Sequence, residues 1–166
     1  MILLSNLFIM TNLCYKLLDK NNTEEFKKHT TKKIYKYLLT KVVKTRDFEV
    51  TDKIVEKTFN ILDKVYFKKA ISKFIKESRS TISFSASTKL TKTAGFCKWK
   101  HWLDEYGDID YGDYEIQISK KIIDNLFKDK KTKSLKIGGL HCFDKLECYI
   151  NLFQHEIIHL LISIFC

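Results

Sequence analysis

Phe143 to Cys166 reads FDKLECYINLFQHEIIHLLISIFC. Apolar residues fall on most faces of this stretch, and no glycine or proline interrupts it, so the spacing predicts one long buried helix from about Phe143 to the chain end. Inside it lies His155-Glu156-Ile157-Ile158-His159. Two histidines four apart share one helix face, and two imidazoles so placed can bind one zinc ion. Glu156 is turned about 100° from His155, which lets its carboxylate reach a water on the metal without taking a ligand position. With five His and nine Glu in 166 residues, chance placement yields an HExxH in about 1% of such chains. The plainer alternative is a pair of hydrogen-bonded core histidines, and the clustering of two His and one Glu on an apolar helix weighs against it.

Upstream of this helix the hydrophobic period changes twice. Glu24 to Val43 carries Phe26, Ile34, Tyr37, Leu38 and Val42 at helical spacing, with Thr23 as its cap. A second helix starts near Thr51 and runs through Tyr66, and a third covers Lys69 to Glu77. Thr81 to Thr88 (TISFSAST) alternates apolar and hydroxyl residues like a strand, as does Tyr114 to Ser119 (YEIQIS). Leu90 to Trp99 holds Gly95 between strand residues, and Gly107 and Gly112 lie in an acidic turn. Ser119 caps a short helix through Ile122, Ile123, Leu126 and Phe127, and Gly138-Gly139 is a break. Helices, then strands in hairpin-like succession, then a helix predict an α+β fold with a small antiparallel sheet.

The length fits a single domain. Five cysteines without short-spaced framework argue against a secreted disulfide scaffold and for a reducing, intracellular setting. With no proline and five glycines, collagen-like chains and Gly-rich phosphate loops are excluded. The net charge is +10, but only Arg46 and Arg79 of the 30 basic residues are arginine. Base and phosphate readers favour arginine, so nucleic-acid binding and a lysine-rich coding bias explain the charge equally well. Met1 to Met10 (MILLSNLFIM) is too short to span a bilayer. It reads as a helix docked on the core, as a signal-like segment, or as an extension upstream of a start at Met10. No membrane partner is expected.

The ordered set Phe84-Ser85-Ala86-Ser87, Thr93-Ala94-Gly95, Ile116-Gln117-Ile118-Ser119 and His155 to His159 resembles the SprT-like (Spartan-type) zinc metalloproteases. The resemblance covers roughly the last hundred residues. The lysine bias and Gly138-Gly139-Leu140-His141-Cys142 are similar to versions from large DNA viruses. It implies a zincin-like domain over residues 51–166, preceded by an N-terminal helical segment over 1–50. It further implies Zn2+ as cofactor, His155 and His159 as ligands, Glu156 as general base, and a protein substrate crosslinked to or bound on DNA. Lys89, Lys92, Lys98, Trp99, Lys100 and Trp102 are candidates for contacts to single-stranded DNA; the competing reading is a solvated strand edge with its tryptophans packed inward.

One element of the family pattern is missing. SprT-like proteins take a third zinc ligand from a histidine beyond the HExxH helix, and no histidine follows His159 here. The expectation is therefore a domain lacking its C-terminal part. Cys148 and Cys166 each lie seven residues from a motif histidine, about 10 Å along a helix, too far to share one metal. His141 and Cys142 precede the helix, and Cys142 and Cys148 read as buried free thiols. Two function classes follow: a zinc-dependent protease domain, and a non-catalytic remnant or DNA-binding module that keeps the fold. A third reading is a helical interaction protein whose HExxH is accidental. An uncovered apolar tail over residues 160–166 predicts poor solubility.

Overall fold

A computed structural model describes residues 24–41, 48–107, 109–128, 133–137 and 139–165. Three helices come first: α1 (Glu24–Lys41), α2 (Asp52–Tyr66) and α3 (Ala70–Glu77). Strands β1 (Thr81–Ser87), β2 (Gly95–Leu103) and β3 (Ile109–Ser119) follow, then a short α4 (Lys120–Asn125). A small hairpin of β4 (Leu135–Ile137) and β5 (Leu140–Cys142) leads into α5 (Lys145–Phe165). The α+β class is as the periodicity predicts. Thr23 and Met1 to Met10 lie outside the described residues.

The sheet departs from expectation. Its order is β1-β3-β2, with β1 parallel to β3 and β2 antiparallel to β3, so it is mixed rather than antiparallel. The stretch from Ser83 to Trp99 is consequently not a strand pair, because β3 lies between its two halves. Side-chain burial explains the order. On β3, Tyr114, Ile116 and Ile118 are all buried, which suits the central position, flanked on both sides. β2 carries exposed Lys98 and Lys100, and lysines are what protect an open strand edge.

One sheet face is covered by helices. Phe84 of β1 packs against Phe59 of α2 with ring centroids 4.8 Å apart. Across the register, Phe84 pairs with Ile116, and Ile116 with Cys97, so one apolar layer runs over all three strands. α5 crosses the β2 end of this layer and α2 the β1 end. Tyr149 of α5 joins the two helices by donating to the Thr58 hydroxyl at 2.8 Å. Ile34 and Leu38 of α1 and Val50 belong to the same core as the rest of the chain.

Local signals set the ends of the elements. The Thr51 side chain accepts from the Ile54 amide and starts α2, and the Ser119 hydroxyl accepts from Ile122 and starts α4. α4 stops at Asn125, earlier than expected, and Phe127 has a φ of 60°. At the start of α5, Asp144 accepts from the Glu147 amide at 2.9 Å, while the Glu147 carboxylate accepts from the Phe143 amide at 2.7 Å. Asp144 thus caps the helix, and Glu147 satisfies the amide one residue before the cap. Along the apolar tail of α5, Leu160, Leu161 and Ile164 are buried and Ile162 is exposed. Leu160, Leu161 and Ile164 thus join the chain's own core, while the Phe165 side chain and Cys166 lie outside what the structure describes.

Candidate metal centre

α5 brings His155, Glu156 and His159 together and divides them between two environments. His155 and His159 are exposed, which corrects the expectation of a wholly buried trio. Their Nε2 atoms are 3.1 Å apart, with ring centroids 4.7 Å apart and planes near perpendicular. Two nitrogens bound to one tetrahedral zinc at 2.0–2.1 Å stand about 3.3 Å apart. The contact is a hydrogen bond between the two rings, and its length is close to the spacing of two ligands to a single ion. Among the described residues, no third His, Cys, Asp or Glu joins them in a group that could hold a metal.

Glu156 packs into the contact between α5 and β2, over Gly95, and only 4% of its surface is exposed. The Cys97 backbone amide donates to its carboxylate. Gly95 lies beneath it: a Cβ built there would stand 2.5 Å from Glu156 Oε1 and 2.9 Å from its Cδ and Cγ. Any side chain at position 95 would thus occupy the space the carboxyl uses. Thr93 keeps this strand start in place by donating to the Gly95 carbonyl at 2.7 Å. Burial pushes the Glu156 carboxyl up to about 7, partly opposed by the Cys97 amide. Burial likewise pushes the neighbouring Cys97 thiol up to about 12, with the Glu156 charge adding to the effect.

Gly95 and Cys97 are the site residues that reading the sequence as chemistry passed over. An isolated glycine among strand residues marks a close backbone approach, and here the approach is to Glu156. Gln154, one position before His155, donates to the Thr31 hydroxyl of α1 at 3.3 Å, which fixes the approach of α1 to the motif.

The residues considered for nucleic-acid contact stand on or before β2. Lys98 and Lys100 face Glu115 and Asp113 across the ladder, so acids lie opposite both lysines. Trp102 stacks on Tyr111 at 4.7 Å and takes the Lys100 ammonium over its ring at 4.4 Å. Trp99, on the edge strand opposite Tyr114, is 46% exposed and Trp102 is half-buried, so neither tryptophan is packed fully inward. His141, weighed as a metal ligand, is exposed on β5, and Cys142 and Cys148 are buried and free. No described helix is long and apolar enough to cross a membrane.

No protein-family model, curated protein or solved structure matches this chain.

Proposed function

We propose that the chain is a zinc-dependent peptidase domain of SprT-like type, in which α5 carries the reaction centre. The observation that supports it most strongly is the convergence of the His155 and His159 Nε2 atoms at 3.1 Å beside a buried glutamate. His155 and His159 would hold the ion. Zinc bound there would supply a Lewis acid for a peptide carbonyl and would lower the pKa of water to roughly 7.

The chain's own residues account for the rest. Glu156 accepts the proton of the attacking water at its carboxylate and returns it to the leaving amine. A carboxyl poised near 7 suits both duties at neutral pH. The Cys97 amide and the space left by Gly95 hold that carboxyl in one place. Proteins bound on or crosslinked to DNA are the substrate class, an assignment that rests on the family resemblance.

The second reading is a non-catalytic binding module of the same fold, and it is favoured by the described residues containing no group of three His, Cys, Asp or Glu that could hold a metal. Zinc-dependent cleavage of an unfolded protein separates the two. The peptidase reading expects cleavage that a chelator stops and that Glu156→Gln abolishes. Zinc-insensitive, salt-sensitive binding to single-stranded DNA with no cleavage would favour the module.

A further inference from the structure

Half of the net charge of +10 lies in about a tenth of the chain. Residues 64–79 (KVYFKKAISKFIKESR) hold Lys64, Lys68, Lys69, Lys73, Lys76 and Arg79 against the single acid Glu77. All six cations are exposed. Helix spacing sets Lys69, Lys73 and Lys76 on one side of α3, opposite buried Ile71 and Ile75. Lys73 pairs with Glu77 at 3.7 Å; among the described residues the other five cations have no acid within ion-pair distance. On β2, by contrast, acids stand opposite both lysines.

The backbone beneath this face is unusual. Among the described residues four that are not glycine have a left-handed backbone, and three of them are Lys68 (φ 50°), Lys69 (φ 65°) and Arg79 (φ 55°). Lys68 and Lys69 join α2 to α3, and Arg79 follows the end of α3. There the Ser80 amide donates to the Ile75 carbonyl at 3.0 Å, and the Arg79 amide to the Lys76 carbonyl at 3.4 Å. This doubly bonded helix ending has a left-handed position that is usually glycine and sometimes asparagine. The same conformation is unfavourable for a residue with a long side chain. An A- and T-rich coding bias supplies asparagine as readily as lysine, and asparagine takes the left-handed backbone at lower cost. Coding bias therefore explains abundant lysine but not cations at these three turns. Arg79 is, moreover, one of only two arginines in the chain. Cations kept against the backbone preference point to a task for their side chains.

We propose that this face binds the phosphate backbone of double-stranded nucleic acid without reading its sequence. Lys69 to Lys76 spans about 10 Å along α3, a length over which a duplex presents about six phosphates. Arg79 adds a forked donor to the point charges of the lysines. The aromatic residues of the segment do not stand out among the cations: Phe67 is buried, and Tyr66 and Phe74 are partly buried against the core. Single strands are held by stacking their bases on exposed rings, so the match is to duplex phosphates. Binding of this kind needs no metal on α5.

The test uses the full chain with a chelator present, so a failure of the metal centre leaves the result untouched. Fluorescence anisotropy follows binding to a labelled duplex of arbitrary sequence between about 50 and 200 mM salt. The parent chain should bind, with an affinity that falls steeply as salt rises. Lys68→Asn, Lys69→Asn and Arg79→Asn, combined in one variant, should reduce the slope of log K against log salt by about 3. That variant should also melt at or above the parent temperature, because asparagine relieves the left-handed turns. Lys32→Gln, Lys33→Gln and Lys36→Gln, at exposed positions of α1, remove the same charge elsewhere and should leave the slope within about 1 of the parent. No duplex binding by the parent, an unchanged slope in the asparagine variant, or equal losses in the two variants would overturn the proposal. So would a lower melting temperature of the asparagine variant, tighter binding to the single strand, or binding to phosphatidylserine vesicles in preference to the duplex.

Discussion

Glu156 meets two opposing requirements. As the proposed base it would have to ionise near neutral pH, yet it sits against β2 with almost no exposed surface. Its folded pKa of about 7 lies above the ordinary carboxyl value of 4.5. The unfolded chain releases this proton first, so its contribution to stability is full below pH 4.5 and is lost as pH rises through 7. Metal-free Glu156→Gln should therefore be more stable than the parent at pH 8, by about 1–3 kcal/mol, with the gap closing below pH 4.5. Urea melts at both pH values check this. Gly95 gives the second prediction at this scale. Gly95→Ala places a methyl 2.5 Å from Glu156 Oε1, so the carboxyl must move. Displacement of a base by an ångström costs about 100-fold in rate, and a crowded core costs about 1–3 kcal/mol. Peptidase assay and thermal melting, run together, read both effects. The HExxH spacing was legible in the sequence because helix geometry alone puts His155 and His159 on one face. The partner of Glu156 was not, because Gly95 is 61 residues away and only the packing of α5 on β2 brings them together.

At the scale of elements, α5 depends on its first turn. Asp144 accepts from the Glu147 amide and from the Tyr35 hydroxyl, the latter at 2.6 Å, so it caps α5 and ties it to α1. Asp144→Ala should cost about 1–2 kcal/mol in a denaturant melt. An unchanged midpoint would mean that the cap is idle. The helices were legible because their apolar spacing is long and regular, as at Val55, Phe59 and Leu62 of α2. The order of the strands was not. Alternation marks β1 and β3 as strands, but nothing local says that β3 inserts between β1 and β2. The β4–β5 hairpin escaped notice for a different reason. Three-residue strands are too short to show a period, and only the Gly138-Gly139 break signalled a turn there.

For the whole molecule, one core joins α1, the sheet and α5. Leu160 lies fully buried within it, one residue past His159. Leu160→Ala should lower stability by about 2–5 kcal/mol and loosen the turn that carries the motif. A thermal melt read beside metal affinity tests the link, since a purely local site would keep its affinity. The overall charge of +10 says less about function than its placement does, because Lys98 and Lys100 stand opposite acids on β3. Peptidase activity of the proposed kind requires that the two histidines hold a metal. The most direct measurement is titration of the metal-free chain with Zn2+ against a chromophoric chelator, alongside His155→Ala, His159→Ala and Glu156→Gln. The expected result is one zinc per chain, lost in either histidine variant and kept in Glu156→Gln. Zinc bound equally well by the histidine variants, or not bound by the parent chain, would contradict it.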